Sequence, residues 1–300
     1  MTSIGDNLPK DPEKKIKENI IRKVPILDRD PQFYKNFPLP SWIELSVIDV
    51  CNRSCSFCPK SDDKIAPNTY QKTERVLIDK LYEDLKDIHY QGAFTLCGYG
   101  EPLLYNDLEY LVRSLSRLGM IEIVTNGDPL NENKLQKLYD IGVSHLVISM
   151  YDGPQQVLHF TDMKKKLNLP DNFITLRDRW YKGEEFADYI TNRAGTVNSG
   201  DQPVTDDLKD KKCFYPAYHA QVDWNGDMYL CPHDWQRRNP VGNLMQKKFF
   251  EIWSGKTLTN YRKMLFSGER RKKPCADCNC NGQVHGIKHF NAFKKLTDSE

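Results

Sequence analysis

Cys51-Asn52-Arg53-Ser54-Cys55-Ser56-Phe57-Cys58-Pro59 places three thiols within eight residues. Three cysteines so spaced can wrap one corner of an iron–sulfur cube and leave its fourth iron without a protein ligand, open to chemistry. The spacing also admits zinc, whose structural sites usually want four Cys or His ligands in short paired hooks. The context favours the cube. Ahead of the thiols, Trp42-Ile43-Glu44-Leu45-Ser46-Val47-Ile48-Asp49-Val50 alternates and is rich in branched residues, so it reads as a strand feeding a loop at its carboxyl end. In parallel α/β folds that end carries the active site.

CxxxCxFC at the top of a first strand resembles the radical S-adenosylmethionine (SAM) enzymes. The resemblance implies that Cys51, Cys55 and Cys58 hold a [4Fe–4S] cluster, with Phe57 bordering the cofactor. It implies further that the fourth iron chelates the amino and carboxylate groups of SAM, and that an electron from the cluster cleaves SAM to a 5′-deoxyadenosyl radical.

Length and composition bound what surrounds this loop. Three hundred residues suffice for one large domain, or a large domain with a smaller appendage. A hydrophobic fraction of 39% and a charged fraction of 28% allow a buried core and a wettable surface. The formal charge of +2 gives no global field for nucleic acid, and Lys164-Lys165-Lys166 and Arg270-Arg271-Lys272-Lys273 read as solvated faces. Neither a signal peptide nor a bilayer-spanning run is visible. A cytoplasmic location is expected, where nine cysteines serve metal or catalysis rather than disulfides.

Residues 1–40 read as an N-terminal extension with a short helix around Pro12 to Arg22. Beyond the thiols, Glu74 to Tyr90 has helical apolar spacing, and Ala93-Phe94-Thr95-Leu96-Cys97 reads as a strand. Strand, helix, strand is the crossover unit of a parallel sheet. Gly98-Tyr99-Gly100-Glu101 follows at once. Its glycines let a ligand approach the backbone, and Glu101 supplies a carboxylate for a ligand ammonium. It resembles the family's GGE-type motif, which binds the SAM amino group, with Tyr99 in place of the middle glycine.

Further strands at Ile121-Glu122-Ile123-Val124, His145 to Met150 and Asn172 to Leu176 end at Thr125-Asn126, Ser149 and Arg177. The resemblance implies SAM contacts for Thr125 and Asn126. Ser149 could meet SAM or be structural, and Thr125-Asn126-Gly127 is also an ordinary turn signal. Arg177 suits a ligand carboxylate or an acidic substrate group through its two-pronged guanidinium, or a surface ion pair. Arg177 and Tyr99 are the catalytic candidates. The fold expected for residues 41–212 is a partial (β/α)6-type radical SAM barrel, with the sixth strand and the polar stretch 184–212 unassigned.

From Cys213 the composition changes. Gln221-Val222-Asp223-Trp224 and Asp227-Met228-Tyr229-Leu230 flank Asn225-Gly226, a hairpin signal because both turn positions tolerate positive φ. Cys213 and Cys231 therefore bracket a hairpin, and Pro274-Cys275-Ala276-Asp277-Cys278 supplies a CxxC. Four such thiolates could gather around one centre, zinc or iron–sulfur. Their order, with Gly242-Asn243-Leu244 and Glu251-Ile252-Trp253 between, resembles the shortened SPASM or Twitch module of radical SAM enzymes. The resemblance implies one auxiliary [4Fe–4S] cluster on Cys213, Cys231, Cys275 and Cys278. The module is expected to span 213–290, with 291–300 a tail. Cys280 reads as a spare or alternative ligand, Cys97 as a small core residue, and His233 and His285 as bystanders.

Two clusters imply a substrate radical that gives its remaining electron to the second, a net two-electron oxidation. Oxidation of a hydroxyl-bearing carbon of a small molecule is expected, as in a Twitch-type aminocyclitol dehydrogenase. Modification of a peptide or protein side chain is the alternative, although the short extension leaves little room for a leader-binding domain. A non-catalytic zinc-binding module is a third. A flavodoxin or ferredoxin is the expected reductant, with no nucleic-acid or membrane partner.

Overall fold

The computed structural model describes residues 12–179, 191–197, 208 and 210–297. It starts with helix α1 (Pro12–Leu27). The first strand of the main sheet, β1 (Trp42–Ser46), is buried throughout. Successive strand side chains point to opposite faces, so Ile43 and Leu45 enter the apolar core while Trp42 and Glu44 line an internal cavity.

After the cysteine loop, α2 (Arg75–Asp87) buries Leu77, Ile78, Leu81 and Leu85 at helical spacing. The alternation continues through β2 (Ala93–Leu96), α3 (Leu108–Leu115), β3 (Met120–Thr125), α4 (Glu132–Asp140), β4 (His145–Met150), α5 (Gln155–Lys166) and β5 (Ile174–Asp178). Neighbouring strands from β1 to β5 pair in parallel. Each therefore presents its carboxyl end, and the loop after it, on one side of the sheet. The run Lys164–Lys166 lies at the end of α5, where Lys164 meets Asp171 and Lys166 meets Glu132 on the surface.

The sixth parallel strand comes from the cysteine-rich segment. β6 (His219–Asp223) pairs in parallel with β1, Trp42 opposite His219 and Ser46 opposite Asp223. It then turns into antiparallel β7 (Asp227–Tyr229) and β8 (Pro240–Asn243), giving the order β8-β7-β6-β1-β2-β3-β4-β5. The expected boundary at 213 thus does not separate two sheets: the hairpin supplies the strand that the barrel segment lacks. In that hairpin only Gly226, at φ +85°, takes a positive φ. Asn225 instead accepts from the Asp227 N–H through its side chain, so the turn is a three-residue loop rather than a two-residue one.

Helices α6 (Phe249–Trp253), α7 (Lys256–Phe266) and α8 (Ile287–Thr297) complete the described chain. Residues 291–297 of the expected C-terminal tail belong to α8, and the rest of it lies outside the described residues. Phe290 stacks on Phe214 with ring centroids 4.5 Å apart, and Phe293 packs on Phe37. Their spacing of three residues puts both on one helical face. At the other end, α1 closes the barrel: Arg22 donates to the fully buried Glu122 at 2.6 Å, and Lys23 lies over Trp42.

Candidate functional site

A cavity of about 440 Å³ occupies the barrel. Cys51, Cys55 and Cys58 border it, as do Phe57, Gly98, Gly100, Glu101, Thr125, Asn126, Ser149 and Arg177. The residues singled out along the sequence for the first cluster and for SAM therefore meet on one surface. Parallel strands explain this, because each contributes the residues at its carboxyl end.

Glu101 is the hub of the Gly98–Glu101 loop. Its carboxylate accepts from Thr125 Oγ1 at 2.6 Å, from the Asn126 N–H at 2.8 Å and from the Leu103 N–H at 3.0 Å. Burial nevertheless holds its pKa above the ordinary carboxylate value, against the pull of those three donors. At Gly100 any Cβ would lie 2.3 Å from Ile48 O, and at Gly98, at φ +103°, 2.1 Å from Ser46 Oγ. These two glycines let the loop lie directly on the end of β1. Arg177 donates through Nε and Nη2 to Ser149 Oγ, at 3.1 and 2.6 Å, and Phe57 stacks on Tyr151.

Arg53 fixes the cysteine loop. Its guanidinium holds Asp128 and Asp152, each through two hydrogen bonds, and lies over Tyr151. Asn126 completes the tie, donating to Asn52 Oδ1 at 2.8 Å and lying 3.9 Å from Cys51 Sγ. Tyr99, expected with Arg177 to be a catalytic candidate, also borders the barrel cavity. Its hydroxyl donates to Asp234 O at 3.1 Å, its ring packs edge-on to Trp235, and Arg237 covers it. Burial raises its pKa well above the tyrosine range.

The second set of thiols surrounds a smaller cavity. Cys213, Cys231, Cys275 and Cys278 line it together with Cys280, Tyr215, His233 and Arg270. The Cys280 N–H donates to Cys278 Sγ at 3.4 Å. Gly282 closes on Cys213: a Cβ there would lie 2.3 Å from its sulfur. Arg270, expected to be a solvated member of a basic run, is 2% exposed. It donates to the carbonyls of Lys211, Lys212 and Cys280, which anchors the chain on both sides of the thiols. Periodicity could not find it, because the neighbours in its run stay in solvent. His285 pairs with Asp28, away from both cavities.

The donor sets fit clusters. Burial pushes Cys55 up to about 11, Cys213 to about 11 and Cys275 to about 12, and neighbouring thiols add to each rise. Several thiolates crowded in a half-buried pocket need a polycation to neutralise them. The three thiols on one cavity and the four on the other are the donor type of iron–sulfur clusters.

A family model described as "Radical SAM superfamily" matches residues 45–170, and one described as "Iron-sulfur cluster-binding domain" matches 213–279. The chain belongs to the radical SAM superfamily. This radical SAM enzyme carries a SPASM-type module, and its cofactors are SAM, the SAM-binding [4Fe–4S] cluster and auxiliary iron–sulfur. It is 28% identical to the S-adenosyl-L-methionine-dependent 2-deoxy-scyllo-inosamine dehydrogenase of Niallia circulans over 80% of this chain and 92% of that protein. It is 36% identical to GTP 3′,8-cyclase of Staphylococcus aureus, over only 36% of this chain and 33% of that one. Among solved structures, BtrN in complex with AdoMet and 2-DOIA matches with a TM-score of 0.68 at 24% identity, over 84% of this chain and 98% of that one. That likeness confirms the fold of the radical SAM barrel with its appended module. No helix among the described residues is long and apolar enough to cross a membrane.

Proposed function

We propose that this radical SAM enzyme oxidises a hydroxyl-bearing carbon of a small molecule of sugar or aminocyclitol type to the carbonyl, acting in the cytoplasm with a flavodoxin- or ferredoxin-type reductant. One observation carries the reading. Tyr215 and His233 line both the barrel cavity and the cavity of the second thiol set. A single layer of side chains therefore separates the space for substrate from a four-cysteine site, a short path for an electron. The dehydrogenase relative acts, by its name, on an aminocyclitol, which supports the substrate class.

When bound, SAM and its cluster supply a one-electron cleavage that yields a radical able to take a hydrogen atom from carbon. The chain's own residues arrange this. Cys51, Cys55 and Cys58 would hold the SAM-binding cluster, and Arg53 keeps their loop in place. Glu101 would accept the SAM ammonium, Ser149 and Arg177 would take its carboxylate, Thr125 and Asn126 would meet its ribose side, and Phe57 would border it. Cys213, Cys231, Cys275 and Cys278 would hold the auxiliary cluster with no iron left open, which suits electron uptake better than substrate binding.

The test is anaerobic turnover of the reconstituted enzyme with SAM, dithionite and a panel of polyols, aminocyclitols and peptides. One carbonyl formed per 5′-deoxyadenosine from a small-molecule alcohol supports the reading. Turnover confined to peptides, or a product at the oxidation level of its substrate, rejects it.

A further inference from the structure

Oxidation of an alcohol leaves a proton to be placed as well as a hydrogen atom and an electron, and the barrel cavity offers few groups that can take it. Among the described residues only two carboxylates border it, Glu101 and Glu44. Glu101 is ringed by Thr125 and two backbone N–H groups and, in the reading above, takes the SAM ammonium. Glu44 stands mid-strand on β1, between Thr95 of β2 and Gln221 of β6. Its side chain keeps 12% of its surface open. Oε2 lies 3.2 Å from His219 Nε2. Oε1 reaches the glycine loop that carries Glu101, for a Cβ at Gly98 would lie 3.5 Å from it. Cys97, expected as a core residue, borders the same cavity and hydrogen-bonds Glu44. A carboxylate has about four acceptor sites, so two neighbours leave it room for a third.

The other groups on the wall are poor proton acceptors. Lys23 pairs with Glu122, and Lys60 donates to Pro67 O and Asn68 Oδ1 at 2.9 and 3.0 Å. The guanidiniums of Arg53, Arg177, Arg179 and Arg193 are donors only. Burial pushes Tyr99, Tyr151, Tyr215 and Cys97 upward, so they keep their protons. His233 has Nδ1 at Thr191 Oγ1 and Nε2 shut off from open space. Burial would raise Glu44 too, but His219, Cys97 and Lys23 together hold it below its ordinary value. It is therefore ionised at neutral pH.

We propose that Glu44 is the general base of the oxidation and takes the hydroxyl proton of the substrate radical. This rests on the small-molecule reading and adds the group that reading lacks. The hydrogen atom on carbon goes to the 5′-deoxyadenosyl radical, giving 5′-deoxyadenosine and a carbon radical that still bears its O–H. The O–H bond then breaks, its proton passing to Glu44 and its electron pair staying on oxygen. The unpaired electron on carbon leaves to the oxidised auxiliary cluster, and the oxygen pair closes the C=O bond. His219 is the positioning residue that holds the carboxylate in place.

The test uses the anaerobically reconstituted enzyme with SAM, dithionite and C-deuterated polyols and aminocyclitols, myo-inositol and 2-deoxystreptamine among them. Glu44→Gln keeps the shape of the side chain without its basicity. It is expected to load iron and to move deuterium into 5′-deoxyadenosine, while carbonyl formed per 5′-deoxyadenosine falls about 100-fold or more. The remaining rate should rise with pH as hydroxide takes over, where the parent enzyme is flat through neutrality. The stalled radical should show, by electron paramagnetic resonance, a proton splitting that disappears in deuterium oxide. An unchanged ratio of carbonyl to 5′-deoxyadenosine in Glu44→Gln overturns the proposal, as does an equal loss of deuterium transfer and carbonyl in a variant that still holds its iron. Where Glu44→Gln loses iron, Glu44→Asp decides: its shortened base should lower the ratio with deuterium transfer intact, and an unchanged ratio overturns the proposal. The parent enzyme's own carbonyl yield judges the small-molecule reading separately, before any variant is compared.

Discussion

His219 Nε2 lies 3.2 Å from Glu44 Oε2, tying the strand that begins the cysteine-rich segment to the first strand of the barrel in the buried interior. Burial alone would raise the Glu44 pKa, but the hydrogen bond and charge of His219 outweigh it and hold the carboxyl below its ordinary value. A depressed carboxyl contributes stability that is present above the ordinary carboxylate pKa and is lost as pH falls through the lower, folded one. Removing one partner of a buried pair leaves the other uncompensated. Glu44→Ala should therefore cost about 3 kcal/mol at neutral pH and less below about pH 4. Denaturant unfolding at a series of pH values would show it, and a pH-independent loss would refute the pairing as its source.

Glu101 has the opposite shift. Its carboxyl is held above the ordinary range by burial, so SAM binding should weaken on acidification at a higher pH than a free carboxylate would give. Glu101→Gln should remove that pH dependence and cut SAM affinity by tenfold or more, about 1.4 kcal/mol. Equilibrium dialysis with labelled SAM across pH would check both.

The two thiol sets should separate genetically. Cys51→Ala, Cys55→Ala or Cys58→Ala should abolish SAM cleavage, because each removes a ligand of the open cluster. Cys275→Ala should keep abortive SAM cleavage while ending carbonyl formation. Iron analysis after anaerobic reconstitution should fall from about eight to about four irons per chain in either class. Intact turnover by Cys275→Ala would remove the auxiliary site from the reaction.

Arg270 satisfies three buried carbonyls. Arg270→Ala should cost about 3 kcal/mol, the sum expected for stranding several buried acceptors. It should also lower iron in the auxiliary site while the first site fills normally. Arg270→Lys keeps the charge without the planar fork, so it should recover little of this. Thermal melts paired with iron analysis would decide; a variant as stable as the parent would mean that water replaces the guanidinium.

Legibility along the chain followed the range of the interactions involved. That Glu101, Asn126 and Ser149 would border one cavity was legible because each follows or closes a local strand with its own apolar signature, and parallel pairing brings all such ends to one side. Phe290 and Phe293 were hidden in a short charged segment, although their spacing of three residues was there to be counted. The glycine loop showed Tyr99 at the cavity, but not that its hydroxyl bonds Asp234, far along the chain. Arg193 and Arg270 gave no local sign at all. One sits in a polar stretch without periodicity and the other in a basic run, and only distant partners separate them from ordinary surface arginines.

The sequence by itself determined the chemistry: seven cysteines in two spaced sets, a glycine loop with its glutamate, and a succession of strands and helices that can only pair in parallel. Ligand spacing and hydrophobic period are local properties, so they survive in a linear chain. The tertiary structure decided where the second set of thiols stands relative to the first. β6 pairs with β1 rather than forming a separate sheet, and that pairing seats Tyr215 and His233 as the shared wall of two cavities. Strand pairing across so long a separation depends on which sheet edge is left open and on the packing beneath it. Neither is written in any one stretch of residues.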